Sequence, residues 1–194
     1  MRILFCALVF LFSQSLQAQQ FQVVEVGQVE TRGAVDSSAI QLSNKKIVVG
    51  SSDGAIYFIT REKNSSLQVL SYQTRQRAYG SASELSDHSV VIGSSDGFLY
   101  RFNADGKFLN KTKIGAMIWA TPLELPSGIL VVGSQDGNVT FLTRDGVVLK
   151  TVKLSGSLSS SPIVVYPKQS PLKYLGYKTD IARIALGSSD NSVY

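Results

Sequence analysis

The stretch that decides the fold is GSSDGFLYRF, which runs from Gly93 to Phe102. The apolar run VVI stands directly before it, and an apolar and aromatic run follows the Asp96-Gly97 pair. An Asp-Gly pair between two such runs is a strong local signal for a β-hairpin with a two-residue type I′ turn. The stretch therefore predicts two antiparallel strands joined at Asp96 and Gly97.

Related stretches occur three more times, so the hairpin belongs to a repeat. They read GSSDGAIYF from Gly50, GSQDGNVTF from Gly133 and GSSDNSVY from Gly187. The corresponding turn pairs are Asp53 and Gly54, Asp96 and Gly97, Asp136 and Gly137, and Asp190 and Asn191. Asparagine tolerates the positive φ that such turns require, so the fourth copy fits the pattern. The first two intervals between copies match the roughly 40 to 45 residues of a β-propeller blade.

The rest of each repeat is repetitive as well. A strand that starts with small residues precedes the hairpin, as in GSASEL from Gly80 and ATPLEL from Ala120. A second turn and an alternating strand follow it, as in VVLKTVKL from Val147. We therefore expect four short strands per repeat, called A to D, and an all-β propeller of about four blades. The repeats cover about 37–79, 80–118, 119–158 and 159–194.

Residues 1–18 have the features of a secretory signal peptide. Arg2 is followed by an apolar run that is too short for a confident membrane span, and the segment ends in Leu16-Gln17-Ala18. The single cysteine, Cys6, lies inside it, so the chain from residue 19 has no thiol for a disulfide, a metal site or a lipid anchor. We expect an exported periplasmic or extracellular protein that is not a lipoprotein, with the propeller domain in 19–194.

Residues 22–29 align with a D strand, and two arrangements of the blades follow. An N-terminal D strand can complete the last blade and close a four-bladed ring. Alternatively, the chain is a shortened copy of a larger propeller whose blades form an open arc. In that case the exposed apolar sheet faces predict self-association.

The charge pattern argues against a nucleic-acid partner. The formal net charge is +5, from 19 basic and 14 acidic residues. Many of the basic residues alternate along the predicted D strands, as at Lys111 and Lys113, where they keep strand edges solvated and discourage pairing between sheets. Nucleic-acid binding requires a basic stripe with interleaved aromatic residues, which this pattern does not predict.

The pattern SSPIVV, then IVVGSSDGAIYFI, then DGKFL resembles the PQQ-type propeller repeats of quinoprotein alcohol dehydrogenases. It also resembles those of the lipoprotein subunit of the outer-membrane β-barrel assembly machine. The resemblance covers nearly all of the chain after residue 18 and implies PQQ-like blades and a role in envelope protein assembly. Blades of that family usually end in a tryptophan that docks onto the neighbouring blade. The equivalent place here holds Phe108 to Asn110, and the single tryptophan, Trp119, precedes an A strand instead.

The residues do not predict an enzyme. The resemblance would imply a PQQ site with a tryptophan, a vicinal disulfide and a calcium ion, but there is no cysteine after Cys6 and no carboxylate cluster of calcium-ligand spacing. The repeated aspartates could form a ring of acids, yet aspartate is also the expected turn residue, and we assign it to the turns. His88 is the single histidine, too little for a zinc site or an activated serine. We predict no catalytic residue, no metal and no cofactor.

One candidate binding surface is the rim on which the loops entering the A strands meet the B–C hairpins. This rim is predicted to carry Arg32, Arg75, Arg77, Tyr79, Met117 and Trp119. Arginine and aromatic side chains are enriched at protein-interface hot spots. The aromatic residues could instead be packed between blades.

A second candidate is an insertion in the fourth repeat, YPKQSPLKYLGYKTD from Tyr166. Its tyrosines, Tyr166, Tyr174 and Tyr177, alternate with lysines. Loops on a rigid scaffold often carry function, although a long surface insertion is also tolerated at little cost.

These observations predict an exported, non-catalytic propeller that serves as a protein-interaction scaffold in the cell envelope, with peripheral association with membrane machinery. One alternative is a propeller that binds a small molecule or a glycan, or a remnant of a quinoprotein enzyme. Another is a truncated paralogue without a function of its own.

Overall fold

The computed structural model describes residues 27–165 and 183–194, which form antiparallel sheets that follow one another along the chain. The first sheet contains β1 (Ile40–Gln41), β2 (Ile47–Gly50), β3 (Ala55–Arg61) and β4 (Leu67–Gln73). The second contains β5 (Ser83–Glu84), β6 (Val90–Gly93), β7 (Phe98–Phe102) and β8 (Phe108–Lys113). The third contains β9 (Leu123–Glu124), β10 (Leu130–Gly133), β11 (Asn138–Leu142) and β12 (Val148–Lys153). The fourth pairs β13 (Ile163–Val165) with β14 (Arg183–Ala185).

Strands pair in chain order within each sheet, so the predicted A to D strands lie side by side. The expected four-stranded blade is confirmed for the first three repeats. In the fourth repeat, strands A and B are present, and a bridge between Gly187 and Val193 stands where the B–C hairpin would begin. The described residues contain strands, turns and bends but no helix, as the all-β prediction requires. The predicted signal peptide 1–18 and the insertion with Tyr166, Tyr174 and Tyr177 lie outside them.

The hairpin turns differ from the predicted two-residue type I′ turn. Ser51 N–H donates to Ala55 O at 3.0 Å and Gly54 N–H donates to Ser51 O at 3.1 Å, so the loop has three residues. Gly54 has a φ of 85°, whereas Asp53 is not among the residues with positive φ. This is a type I turn followed by a left-handed residue. The aspartate explains the difference, because Asp53 Oδ1 accepts the Ala55 N–H at 2.8 Å, the side-chain contact that makes aspartate a turn residue.

The same geometry recurs in the other hairpins. The left-handed residue is Gly97, Gly137 or Asn191, with φ of 78°, 78° and 66°. The prediction that asparagine replaces glycine at this position in the fourth repeat is therefore confirmed. Only one residue per turn needs positive φ, and the motif places its glycine or asparagine there.

An aromatic cluster joins the first blade to the second. Phe58 of β3 and Phe102 of β7 have ring centroids 5.2 Å apart, and Tyr72 of β4 stacks on Phe108 of β8 at 4.9 Å. Phe58 and Phe102 are buried, and each such side chain contributes about 1.5–3 kcal/mol of hydrophobic stabilisation. Phe108, which follows the second turn of its repeat, thus contacts the neighbouring blade through Tyr72.

Smaller aliphatic clusters join the later blades. One combines Leu99, Ile118, Leu130 and Leu142 between the second and third blades. Another combines Val131, Val139, Leu158 and Leu186 between the third and fourth. The core therefore lies between the faces of successive sheets, as in stacked blades.

Ion pairs connect the A–B and C–D loops on one rim, here called the loop rim. Lys46 Nζ is 2.8 Å from Asp105 Oδ1, which links the first blade to the second. Arg101 bridges Asp87 at 2.7 Å and Asp145 at 3.1 Å, which links the second blade to the third. The charged side chains of this rim are thus used to hold neighbouring blades in place.

The predicted D strand at 22–29 is described only in residues 27–29, and these are not in a strand. A Cβ on Gly27 would lie 2.8 Å from Leu67 Cδ1, so this residue lies beside β4 of the first blade. The predicted strand therefore does not extend into 27–29. The closed ring and the open arc both stay predictions.

Candidate interaction surface

The linkers between blades build the rim that the sequence predicts as a binding surface, here called the hairpin rim. In the first linker, Thr74 N–H donates to Gly54 O at 2.8 Å and Ala78 N–H donates to Ser51 O at 3.0 Å. Ser95 N–H of the second blade donates to Arg77 O of this linker at 2.8 Å. The linker is thus held between two successive hairpins, and these bonds fix the positions of its Cα atoms, from which the side chains extend.

The next linker is held in the same way. Ile118 N–H donates to Ser94 O at 3.1 Å, and Gln135 N–H donates to Met117 O at 2.9 Å. Side chains from two consecutive linkers therefore stand next to each other on the hairpin rim.

An open cleft of about 590 Å³ lies between these linkers. Its walls include Arg75, Arg77, Tyr79, Met117 and Trp119. The structure thus brings together five of the six residues that the sequence assigns to this rim. Arg32 is not part of the cleft wall, and its backbone N–H donates to Asp53 Oδ2 at 3.0 Å.

Two aromatic rings form the centre of the surface. Tyr79 and Trp119 meet edge to face with ring centroids 6.1 Å apart, and the Arg77 guanidinium carbon lies 5.5 Å from the Tyr79 ring centre. Arg77 also donates a hydrogen bond to the Tyr79 hydroxyl. Trp119 and Met117 are each 39% exposed. Trp119 is thus partly exposed to solvent while its ring packs against Tyr79 of the preceding linker.

The aromatic pair also borders a second cavity of about 400 Å³, which Asp36 lines from the segment before the first blade. Asp36, Tyr79 and Trp119 occupy equivalent positions of three successive repeats, four residues before the strand positions Ile40, Ser83 and Leu123. Sequence analysis did not single out Asp36. Aligning the repeats on their A strands would have found it.

The two arginines of the cleft differ from the cations of the loop rim. Among the described residues, neither Arg75 nor Arg77 forms an ion pair, whereas Arg101 and Arg144 do. The Asp53 carboxylate also lines the cleft, where it accepts the Tyr57 hydroxyl at 2.7 Å and two backbone N–H groups. The cleft therefore presents two exposed arginines against one carboxylate that is bound within the protein.

The turn aspartates accept hydrogen bonds from side chains of their own hairpins, and Asp53 and Asp96 also accept the backbone N–H groups of Arg32 and Arg75. Tyr100 donates to Asp96 at 2.6 Å and Tyr194 donates to Asp190 at 2.6 Å, as Tyr57 does to Asp53. In the third repeat, where threonine replaces the tyrosine, Asp136 accepts hydrogen bonds from Ser134 and Asn138 instead. The tyrosine four residues after the aspartate can be read from the sequence, but the sequence analysis did not predict its hydrogen bond to the turn.

These contacts shift the ionisation of the turn residues. Burial raises the pKa of Asp53, but hydrogen bonds from the Tyr57 hydroxyl and the Ala55 N–H outweigh it and leave that pKa below its ordinary value. The Tyr194 hydroxyl lowers the pKa of Asp190. Burial and the Asp96 carboxylate together raise the pKa of Tyr100. Asp53 and Asp190 are therefore anionic acceptors inside their turns.

His88 lies on the loop rim, away from the cleft. Its Nδ1 is 3.3 Å from Glu84 Oε1 and 3.2 Å from Ser43 Oγ. Because the same ring nitrogen faces both groups, the imidazole cannot relay a proton between them. Its φ of 63° places it at the left-handed position of the A–B turn.

A metal-binding cluster and a membrane-spanning helix are both absent from the described residues, 27–165 and 183–194. These residues contain no group of three or more histidine, cysteine, aspartate or glutamate side chains arranged to hold a metal ion. Within this same part of the chain, no helix has the length and apolar character needed to cross a bilayer.

Comparison with known proteins gives the fold. No protein-family model and no curated protein matches the chain. The computationally designed Ika4 protein is similar to it with a TM-score of 0.63 and 15% identity, over 89% of this chain and 97% of that one. The WD40 β-propeller domain of Doa1 is similar with a TM-score of 0.63 and 20% identity, over 84% of this chain and 51% of that one. BBS1N in complex with ARL6DN is similar with a TM-score of 0.55 and 14% identity, over 76% of this chain and 45% of that one. The chain thus spans about half the length of the Doa1 domain and of BBS1N. These similarities confirm the predicted β-propeller fold.

Proposed function

We propose that this chain is an exported, non-catalytic β-propeller whose hairpin rim binds other proteins. The observation that carries the proposal is the cleft with the exposed Trp119 and Met117 beside two unpaired arginines, Arg75 and Arg77. Aromatic and arginine side chains of this kind supply most of the binding energy at protein interfaces. The backbone hydrogen bonds that hold both linkers keep this surface pre-formed, which reduces the entropy lost on binding.

The setting of this function is proposed to be the cell envelope. The sequence of residues 1–18 supports export, and the resemblance to the assembly-machine lipoprotein subunit supports a role in envelope protein assembly. Among the similar structures, BBS1N was crystallised in a complex with ARL6DN, and binding of a protein partner is in keeping with that example. The insertion from Tyr166 is a second candidate surface on the same scaffold.

A second candidate function is binding of a small molecule or a glycan. The cavity lined by Asp36, Tyr79 and Trp119 supports it, since its volume of about 400 Å³ lies within the range of ordinary ligand sites. An aromatic pair beside a carboxylate can bind a sugar ring or a cationic ligand.

A photo-crosslinking amino acid at Met117, introduced in cells that make the protein, tests the proposed function. We expect adducts of protein size from Met117, because its side chain is exposed in the cleft. The matched control is the same amino acid at Arg61, which is exposed at the loop-rim end of β3. Equal adducts from both positions, or none from Met117, would contradict a protein-binding hairpin rim.

Export is tested by the N-terminus of the protein recovered from the envelope or the medium. We expect chains that begin at Gln19, because residues 1–18 have the order of a signal peptide, a basic start, an apolar run and a small residue at Ala18. N-terminal mass spectrometry after cell fractionation makes the measurement. A chain that keeps residues 1–18 and stays in the cytoplasm would refute the export proposal.

A further inference from the structure

We infer that the cleft binds a segment of a partner protein in which an acidic side chain is followed by an aromatic one. This inference rests on the proposed function and adds the chemistry of the partner. The acidic group would lie against Arg75 and Arg77, and the aromatic group against Trp119 and Met117.

The charge of the cleft is the first argument. Both guanidinium groups belong to exposed residues, and no carboxylate among the described residues pairs with either of them. On the loop rim, Lys46, Arg101 and Arg144 are paired and hold the structure together, whereas the exposed Arg61 forms no ion pair among the described residues. Two unpaired arginines that approach one cleft attract a carboxylate, which a guanidinium can bind through two parallel hydrogen bonds.

Ser95 supplies an independent argument. This residue is only 9% exposed, it lines the cleft, and its Oγ has no hydrogen-bond partner among the described residues. A buried hydroxyl without a partner costs free energy unless a ligand satisfies it. At the equivalent position of the next repeat, Gln135 does have a partner, because its Nε2 donates to Ser159 Oγ at 2.8 Å. A carboxylate held by Arg75 and Arg77 would accept the hydrogen that Ser95 has to donate.

The second cavity indicates an extended ligand rather than a small acid. The cleft and the cavity of about 400 Å³ share Tyr79 and Trp119 as a common wall. The exposed Asp36 carboxylate lines the second cavity and can accept hydrogen bonds from the backbone N–H groups of an extended segment. A small carboxylic acid would fill one of the two spaces and leave the other empty.

Trp119 makes the test direct, since it is the single tryptophan and its fluorescence reports on the cleft. The probe is a capped hexapeptide with two glutamates followed by a phenylalanine, titrated into the mature protein. We expect a saturable change in Trp119 fluorescence that weakens as salt rises, because exposed charge pairs are screened. The same peptide with glutamines in place of glutamates should bind at least about tenfold more weakly.

Variants assign the binding to the cleft. The double variant Arg75→Glu and Arg77→Glu should bind the acidic peptide more than about tenfold more weakly, because like charges then face each other. Ser95→Ala should weaken binding of the acidic peptide by about tenfold or more, the loss of one hydrogen bond to a charged group. The double variant Arg61→Glu and Lys63→Glu, an equal change of charge at exposed positions of the loop rim, should leave the affinity within about twofold. Circular dichroism checks that each variant is folded.

Other outcomes would overturn the inference in distinguishable ways. Equal binding of the glutamate and glutamine peptides would refute the preference for an acidic segment. Equal affinity for free phenylacetate and the peptide would refute an extended ligand and favour a small-molecule site. If no peptide changes the Trp119 signal while Met117 still forms protein crosslinks, the inference fails and the proposed function stands. If the crosslinks are absent as well, both fail.

Discussion

Replacing Gly97 by alanine should destabilise the protein by about 3–4 kcal/mol, the largest effect we expect from adding a single methyl group. Gly97 has a φ of 78°, and a residue with a Cβ in the left-handed region costs about 1–2 kcal/mol. The added Cβ would also overlap the Gly115 carbonyl oxygen and lie 2.9 Å from Ala116 O. Both oxygens belong to the linker that enters the third blade, so relief of the overlap must move backbone between blades. Urea unfolding followed by circular dichroism measures the loss.

Asn191 provides the matched control. It has the same left-handed conformation, with a φ of 66°, but it already carries a Cβ. Asn191→Ala should therefore cost only about 1 kcal/mol, the difference between two side chains in that conformation. If Gly97→Ala and Asn191→Ala cost the same, the close approach of the linker does not matter and our account of the hairpin is wrong.

Replacing Phe102 by alanine should cost about 3–5 kcal/mol, the usual range for a large aromatic side chain in a core. Phe102 is fully buried, and its ring lies 5.2 Å from those of Phe58 and Tyr72 and 5.9 Å from that of Phe108. Because Phe58 and Tyr72 belong to the first blade, the variant removes contacts between blades as well as within one. The measurement is the midpoint and slope of urea unfolding.

Variants of Leu109 and Phe58 test whether the loss of stability comes from the buried contact between blades. Leu109 lies in the same blade but is 44% exposed, so Leu109→Ala should change stability by less than about 1 kcal/mol. In a double-mutant cycle, Phe58→Ala and Phe102→Ala should show a coupling of about 0.5–1.5 kcal/mol, the range for an aromatic pair. A coupling near zero would mean that the two blades do not depend on this contact.

The turn chemistry explains why so much of the fold could be predicted. The Asp-Gly and Asp-Asn pairs of the four repeated stretches lie at the B–C turns, and in the first three repeats the apolar runs beside them become strands B and C, as at Val90–Gly93 and Phe98–Phe102. The error in turn type has a local cause. The Asp53 carboxylate bonds the N–H two residues on, so the aspartate stays outside the left-handed region and only the glycine enters it.

The contact between Tyr72 and Phe108 is a feature that the sequence did not predict. The resemblance leads to the expectation of a docking tryptophan in the place of Phe108 to Asn110, and in this chain Phe108 stacks on Tyr72 of the neighbouring blade. The sequence contains both rings, but they are 36 positions apart and belong to different sheets. Their contact follows from the stacking of blades, which no local pattern encodes.

The sequence by itself determined the repeat, the four-stranded blade and the rim on which Arg75, Arg77, Tyr79 and Trp119 lie, because turn residues and alternating apolar residues act over a few positions. Only the tertiary structure decided that side chains of two linkers converge on one cleft and that the arginines stay unpaired. It also decided that the Ser95 hydroxyl is buried without a partner. The physical reason is that each linker is hydrogen-bonded to the hairpins of two neighbouring blades, as at Ala78 to Ser51 and Ser95 to Arg77. Those bonds form where successive sheets pack against each other, and such packing joins residues that no single stretch of sequence contains.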